Sequence, residues 1–552
     1  MRDSQKMAVI GGVAAAVVGL TGVGVYALVG SDSDEGGEDK TKGSVAAPDD
    51  GKGPDGEIKK GPPSSAEVRT TAKGFLSAWS AGDVKKAARL TDDTAQAAKE
   101  LKGLRTQGRF AKVVTAPRSA KGPKVPYAVT AQIAYKGKKA TLNYGSQLEV
   151  VRDKKTGKAV VGWKSSVLHP KLKDGQAVKT DEAGTPPINA VDRSGAALSK
   201  DDHPTLGDVL DDLRKRYGDK TDGSSGVQTR VVDAKGKNQG ILRQLSKSTP
   251  GELKTTLDAK AQTAAEKAVK GKSKASVVAV KPSTGEILAV ANSPATGFNS
   301  ALRGSLAPGS TMKVVTGAML LDKGLASPGK SHPCPKYATY GGWKFQNLDK
   351  FEIKNGTFAQ SFARSCNTAF ITQAKKLKDD DLTKEARDVF GIGLDWKTGT
   401  GTFDGSVPVQ SDAQMASSLI GQGGVRMNPL TMASVAATVQ NGSFKQPVIV
   451  PASLDKRSLA KAARTMKPGV AKDLKSLMKL TATSGTAAKA LSGLSGDVGG
   501  KTGSAEVDGQ KKPNAWFTAY KGDVASAAVV PASGHGGDNA GPVVRKVLEA
   551  AG

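Results

Sequence analysis

The sequence predicts a multidomain α+β protein, because three stretches of different hydrophobic pattern follow one another along its 552 residues. An apolar segment lies near the N-terminus. A first folded unit then changes from helical to alternating periodicity, and a larger C-terminal unit places strand-like runs before and after its helices. Strands at both ends of a domain, with helices between them, predict an antiparallel sheet that both ends complete.

Residues 7–30 carry no charge, and as a helix they would be long enough to span the hydrocarbon core of a bilayer. Two basic residues precede this segment and an acidic run at 31–35 follows it, which places residues 1–6 in the cytoplasm. We therefore expect an uncleaved transmembrane anchor and a single-pass cell-membrane protein whose folded part is extracytoplasmic. A cleaved signal peptide is the alternative, but its apolar region would be shorter.

The remaining chain divides by composition into four parts. Residues 31–65 are rich in Gly, Asp, Lys, Pro and Ser and predict a disordered linker. Residues 66–180 begin at helical spacing and continue with alternating runs, which predicts a small α+β cone that acts as a spacer. Residues 181–251 are predicted to be a connecting region of short elements, and residues 252–552 the large C-terminal domain.

The formal charge of +29 suggests nucleic acid as a partner, but other features of the sequence argue against it. The lysines are spread along the chain, aromatic residues make up only 5%, and no nucleic-acid-binding motif occurs. A basic surface attracted to anionic lipids or cell-wall polymers is the simpler interpretation. The four histidines are scattered without ligand spacing, so neither a metal nor a cofactor is predicted.

A serine and a lysine form the first candidate catalytic pair. Ser310 follows a Pro-Gly turn at the start of a helix that is apolar on almost every face, so the helix should be buried. Lys313 lies three residues later and shares the same helix face. A buried lysine loses its proton more easily and can then take one from a hydroxyl. Ser-x-x-Lys alone is nevertheless a weak signal in a lysine-rich chain.

Two further motifs could complete such a site. Ser365-Cys366-Asn367 is the sole Ser-x-Asn in the sequence, and its hydroxyl and amide could relay a proton and hold a substrate amide. Lys-Thr-Gly occurs three times, beginning at Lys155, Lys397 and Lys501. Lys501-Thr502-Gly503 alone introduces a strand-like run, and an exposed edge strand could pair with a peptide.

With these motifs in order, residues from about 250 to 550 resemble the transpeptidase domain of a class B penicillin-binding protein, a serine β-lactamase/transpeptidase-like fold. Asn514-Ala515-Trp516-Phe517-Thr518 and Ile420-Gly421-Gln422-Gly423 extend the resemblance. Asp192-Arg193-Ser194-Gly195 resembles the opening of that family's pedestal, or dimerisation-like, region. Residues 66–180 resemble, more weakly, the nuclear-transport-factor-like domain found in some members.

The resemblance implies a D,D-transpeptidase that cross-links peptidoglycan through an acyl-enzyme. The implied catalytic residues are Ser310, Lys313, Ser365, Asn367 and Lys501. The implied substrate-binding residues are Thr502, Gly503 and Ser504, and the last replaces the threonine that is commoner in the family. Backbone N–H groups of Ser310 and Ser504 would form the oxyanion hole.

The implied partners are peptidoglycan stem peptides ending in D-Ala-D-Ala, β-lactams, and a separate membrane glycan polymerase, since no glycosyltransferase unit is recognised. A Gram-positive cell wall is the expected setting. A D,D-carboxypeptidase or a β-lactamase-like hydrolase remains an alternative, as does a catalytically weak cell-wall scaffold. A class D β-lactamase is usually smaller and unanchored, and a β-lactam sensor would need a cytoplasmic output domain.

Cys334 and Cys366 are the chain's two cysteines. Outside the membrane a pair of cysteines tends to be oxidised, and a bridge would close a loop beside Asn367. A disulfide and two buried free thiols both remain open from the sequence.

Overall fold

The computed structural model describes residues 51–53 and 55–551. The predicted cytoplasmic tail, the anchor and most of the linker lie outside these residues. Within the described ranges, no helix is both long and apolar enough to cross a membrane. Of the described residues, 51–53, 55–60 and 154–158 form a small unit in which Lys52 forms a β-bridge with Ile58. Residues 61–153 and 159–551 form the second compact unit.

Three helices and a four-stranded antiparallel sheet open the second unit. The helices are α1 (Ser65–Ser80), α2 (Val84–Arg89) and α3 (Thr94–Thr106). The strands, in spatial order, are β1 (Phe110–Pro117), β2 (Lys124–Tyr135), β3 (Lys138–Arg152) and β4 (Ala159–Val161). Helix α1 begins at a capping box of Ser64 and Glu67 and buries Phe75 and Leu76 against the sheet. The sequence pattern did not predict β1, because Phe110 and Val113 are its buried residues and its alternation is weak.

The connecting region is shared between two hydrophobic cores. Its elements are β5 (Ala177–Glu182), β6 (Ile188–Val191), α4 (Gly207–Tyr217), β7 (Val227–Val232), β8 (Asn238–Ser246) and β9 (Gly251–Lys254). Strands β5, β7 and β8 form a sheet that adds Val178 and Val231 to the core of the small α+β region. Helix α4 buries Leu210 and Leu213 in the core of the C-terminal domain. The predicted boundaries at 180 and 251 therefore fall at strands β5 and β9.

The C-terminal domain is built on a five-stranded antiparallel sheet of order β11-β10-β16-β15-β14. Its strands and one separate hairpin are β10 (Ser276–Val280), β11 (Ile287–Asn292), β12 (Tyr337–Tyr340), β13 (Trp343–Gln346), β14 (Val498–Ala505), β15 (Asn514–Lys521) and β16 (Val524–Val530). Both ends of the domain supply strands, which confirms the predicted arrangement.

Helices cover both faces of this sheet. The helices of the domain are α5 (Ala259–Val269), α6 (Ser300–Arg303), α7 (Lys313–Asp322), α8 (Phe358–Ala363), α9 (Thr368–Ile371), α10 (Asp381–Asp388), α11 (Asp412–Ser418), α12 (Pro429–Asn441), α13 (Pro468–Thr483), α14 (Ala488–Leu491), α15 (Gly536–Asn539) and α16 (Gly541–Ala551). Val277 packs with α5 and α16, whereas its neighbour Val278 packs in the core that contains α7 and α12. Because side chains alternate across a strand, a strand that is covered on both faces, such as β10, is nearly continuously apolar.

The apolar spacing of the sequence predicts one long helical stretch from about residue 358 to 386, and this prediction is wrong for a continuous helix. The chain forms α8, breaks at residues 364–367, and resumes as α9 and then α10. Ser365 lies in the break with a backbone φ of 59°. The apolar spacing of this stretch is helical on both sides of the break, so the sequence pattern does not show where the helix ends.

Candidate active site

Ser310 lies in a short 3-10 turn, Gly309–Met312, that leads directly into α7. Gly309 has a φ of 54°, and its N–H donates to Gly421 O at 2.9 Å. A Cβ at Gly309 would lie 2.5 Å from Ser504 O, so a side chain here would clash with β14. Glycine is therefore required both by conformation and by the close approach that places Ser310 beside the edge strand.

Lys313 is 0% exposed and contacts three parts of the site. Its Nζ lies 3.0 Å from Ser310 Oγ and donates to Ser365 O at 2.8 Å and to Asn367 Oδ1 at 2.6 Å. Burial, and then the charge of Lys501, hold the pKa of Lys313 well below its usual range. A neutral amine within hydrogen-bonding distance of a serine hydroxyl is the arrangement that general-base activation needs.

The break between α8 and α9 explains how Ser365 serves both lysines. Its left-handed backbone conformation turns the chain out of the helix, so that its carbonyl accepts from Lys313 while its Oγ accepts from Lys501 Nζ at 2.8 Å. A non-glycine residue with positive φ is uncommon and costs conformational energy. The continuous helix suggested by the sequence would not give this geometry.

Lys501 lies on β14, the edge strand of the main sheet. Its side chain is 0% exposed, and its Nζ donates to Ser365 Oγ and, at 3.0 Å, to Thr502 O. Burial lowers the pKa of Lys501 to about 7. Lys313 and Lys501, two amines with lowered pKa, thus both hydrogen-bond Ser365.

The residues after Lys501 continue along the same edge. Thr502 Oγ1 lies 2.6 Å from Thr486 Oγ1, which fixes its side chain. A Cβ at Gly503 would lie 2.8 Å from Pro308 O, so only glycine lets the strand approach the serine turn this closely. Ser504 is half-buried and stands opposite Ala515 in the ladder.

The structure separates the three Lys-Thr-Gly segments. Lys397 lies in a loop, half-exposed, and forms an ion pair with Asp395. Lys155 lies in the turn between β3 and β4. Lys501 alone among the three contacts the residues of the Ser310 site.

Asn347 is a site residue that the sequence reasoning missed. It is buried, and its Oδ1 accepts the backbone N–H groups of Asn367 at 2.8 Å and Thr368 at 3.1 Å. The structure also joins Cys334 to Cys366 in a disulfide next to this amide. Asn347 carries no motif, so only the loop closed by the two cysteines could have indicated it.

These groups form a constellation for acyl transfer. The partly exposed hydroxyl of Ser310 contacts the buried amine of Lys313. Ser365 links that amine, through its backbone carbonyl, to the amine of Lys501, which its hydroxyl contacts, and a strand edge lies alongside. Such a site defines a serine acyltransferase or hydrolase with a lysine base.

Comparison with known proteins narrows this class. Residues 275–549 match the family described as the penicillin-binding protein transpeptidase domain. This part of the chain is therefore similar to the transpeptidase domains of penicillin-binding proteins.

Two named relatives are peptidoglycan D,D-transpeptidases. PbpA of Mycobacterium tuberculosis is 27% identical over 363 residues, covering 54% of this chain and 72% of PbpA. MrdA of Acinetobacter baumannii is 26% identical over 290 residues, covering 44% of this chain and 41% of MrdA.

Solved structures share the fold. The D,D-transpeptidase domain of a peptidoglycan glycosyltransferase from Eggerthella lenta aligns with a TM-score of 0.52 at 21% identity, covering 67% of this chain and 98% of that one. Pseudomonas aeruginosa PBP2 aligns with a TM-score of 0.53 at 22% identity, covering 67% and 97%.

Proposed function

We propose that this chain is a peptidoglycan D,D-transpeptidase that cross-links stem peptides through an acyl-enzyme on Ser310. The observation that carries the proposal is the contact of 3.0 Å between Ser310 Oγ and the Nζ of the fully buried Lys313. Penicillin-binding-protein relatives named as D,D-transpeptidases support the same reaction class.

In the first half-reaction, Ser310 Oγ attacks the carbonyl carbon between the two terminal D-Ala residues. Its proton passes to the neutral Nζ of Lys313, whose lowered pKa makes this form available at a lower pH than in an ordinary lysine. The N–H groups of Ser310 and Ser504 stabilise the oxyanion, at about 3 kcal/mol for each donor. Gly309 supports this role because it lets the serine turn approach Ser504.

The tetrahedral intermediate then collapses, and the C–N bond to the terminal D-Ala breaks. Ser365, which hydrogen-bonds Lys501 through its Oγ and Lys313 through its carbonyl, relays to the leaving amine the proton that Lys313 took from Ser310, so Lys313 is neutral again in the acyl-enzyme. In the second half-reaction an amine of a neighbouring stem peptide attacks the ester. Lys313 accepts the proton of that amine and returns one to Ser310.

Substrate binding is assigned to the edge strand and to Asn367. The charge of Lys501, with the hydroxyls of Thr502 and Ser504, binds the terminal carboxylate, and Gly503 permits the close packing. Asn367 holds the acylated peptide through its side-chain amide, which is already oriented by Lys313 and by Gln346 O at 3.1 Å. β-Lactams acylate the same serine because they present a strained amide with a nearby carboxylate.

The proposal extends to the whole chain. Residues 7–30 anchor the protein in the cell membrane, and residues 31–65 link the anchor to the extracytoplasmic part. The small α+β region is a nuclear-transport-factor-like spacer, and 181–251 form a pedestal. The enzyme then acts on a Gram-positive wall with a separate membrane glycan polymerase as partner.

Fluorescent penicillin provides the test. The full-length protein is expected to be labelled covalently, and Ser310→Ala is expected to lose all labelling while its folding, followed by circular dichroism, is unchanged. Ser305→Ala, an exposed serine just before the same turn, serves as the control and should be labelled like the native protein. Equal labelling of the native protein and Ser310→Ala would rule the mechanism out.

A further inference from the structure

A cavity of about 470 Å³ lies on the small α+β region, between helix α1 and edge strand β1. Ala72, Leu76 and Val125 form an apolar floor, and Val114 adds an apolar wall that is 48% exposed. The volume falls within the range of ordinary small-molecule sites. None of the residues assigned to the acyl-transfer site lines this cavity.

Three cationic side chains stand around the floor. Arg69 and Lys73 lie one turn apart on α1, and Arg118 faces them from the end of β1. The chain segments 69–80 and 114–125, which supply every lining residue, contain no Asp or Glu. Within the described part of the chain, none of these three cations forms an ion pair. The cavity therefore combines an apolar body with concentrated, unneutralised positive charge.

The cavity has a fixed shape, because hydrogen bonds join its two walls. Thr115 N donates to Ser80 Oγ at 3.1 Å, and Thr115 Oγ1 donates to Leu76 O at 3.2 Å. On the opposite side, Arg118 N donates to Pro126 O at 2.8 Å, which ties the backbone of Arg118, just past the end of β1, to strand β2. The cations are thus carried by rigid elements, which reduces the entropy lost when a ligand binds.

We propose that this cavity binds a phosphate monoester that carries an apolar chain. A phosphate monoester bears close to two negative charges at pH 7 and offers three acceptor oxygens, which suits two guanidinium groups and one ammonium group. The apolar chain would cover Leu76 and Val114. A membrane lipid headgroup and a free alkyl phosphate share this chemistry, and the experiment distinguishes them.

The test uses the full-length chain in phosphatidylcholine nanodiscs and isothermal titration with hexyl phosphate, inorganic phosphate and neutral hexyl glucoside. Hexyl phosphate should bind at least about tenfold more tightly than either of the others, since only it supplies both the charge and the chain. Nanodiscs that contain phosphatidic acid should abolish this binding if the source is a lipid, and leave it unchanged if the source is soluble. No binding of hexyl phosphate, or equal binding of all three probes, would overturn the proposal.

Matched variants locate the binding. Arg69→Gln with Arg118→Gln should weaken hexyl phosphate binding at least about tenfold, because both walls lose their charge. Lys85→Gln with Arg89→Gln removes the same charge from exposed positions on α2 and should leave binding within about twofold. Both double variants should retain native penicillin labelling and the native circular dichroism spectrum, which together show that the C-terminal domain and the rest of the chain are folded. Equal weakening in the two double variants would mean that the protein's overall charge, and not this cavity, binds the probe.

Discussion

Lys397-Thr398-Gly399 and Lys501-Thr502-Gly503 have the same sequence and opposite environments. The Lys397 side chain is half-exposed beside Asp395, whereas Lys501 is fully buried and hydrogen-bonded to Ser365. Burial lowers the pKa of Lys501 to about 7. The tripeptide therefore carries no chemistry by itself, and the edge strand beneath it decides which copy belongs to the site.

Removing each lysine in turn should give the largest difference between the two segments. Lys501→Ala should lower the rate of acylation by a β-lactam about 100-fold or more, because the site loses its charge for the carboxylate and the partner of Ser365. Lys397→Ala should change that rate by less than about twofold, since an exposed ion pair contributes little. Stopped-flow acylation of both variants is the measurement, and similar losses in the two would refute the distinction.

The pH dependence of acylation should also depend on Lys501 and not on Lys397. Lys313 must be neutral to act as the base. Its lowered pKa makes the neutral amine available at a lower pH than in an ordinary lysine. Lys501 must be protonated to attract a carboxylate, and above about pH 7 it loses that charge. The second-order acylation rate of the free enzyme should therefore fall, by up to about tenfold for each pH unit, as pH rises above the pKa of Lys501.

The Lys397→Ala variant should keep this descending limb of the pH profile, because Lys397 does not contact the residues of the Ser310 site. Lys501→Ala should lose the limb along with most of its activity. A descending limb that persists unchanged in Lys501→Ala would assign the titration to another group.

Substitutions of the two threonines should affect different properties: Thr398 the stability of the fold, and Thr502 the rate of acylation. Thr398 is buried and its Oγ1 bonds Thr400 O at 2.8 Å, so Thr398→Val should lower the free energy of unfolding by about 1–2 kcal/mol and leave acylation nearly unchanged. Thr502→Val should slow acylation about tenfold with a smaller loss of stability, because its hydroxyl faces the proposed carboxylate site. Urea unfolding and acylation kinetics on both variants check this, and a reversed pattern would contradict it.

The sequence predicts most of the C-terminal fold because its periodic signals are strong. Runs such as Ser276–Val280 indicate strands, and strand context in the sequence singles out Lys501, which hydrogen-bonds Ser365, from Lys397. Around Ser365 the apolar spacing is helical on both sides of the break, so the pattern does not predict that the helix ends there. The left-handed conformation of that residue is imposed by contacts distant in sequence, including those of Lys313 and Lys501.

The remaining features depend on packing between separate segments. Asn347 holds the N–H of Asn367 from a loop with no motif, so only the folded chain reveals it. Strands β5, β7 and β8 join the core of the small α+β region, although their composition resembles that of a connecting region. Contacts between segments that are distant in sequence depend on tertiary packing, which the short-range hydrophobic periodicity does not predict.

The central claim is that Ser310 is the acylated nucleophile. Intact-mass measurement of the protein after incubation with benzylpenicillin, followed by peptide mapping, tests it most directly. One penicilloyl group should be found on the peptide that contains Ser310, and Ser310→Ala should carry none. A penicilloyl group on any other residue of the native protein, or its persistence in Ser310→Ala, would contradict the account.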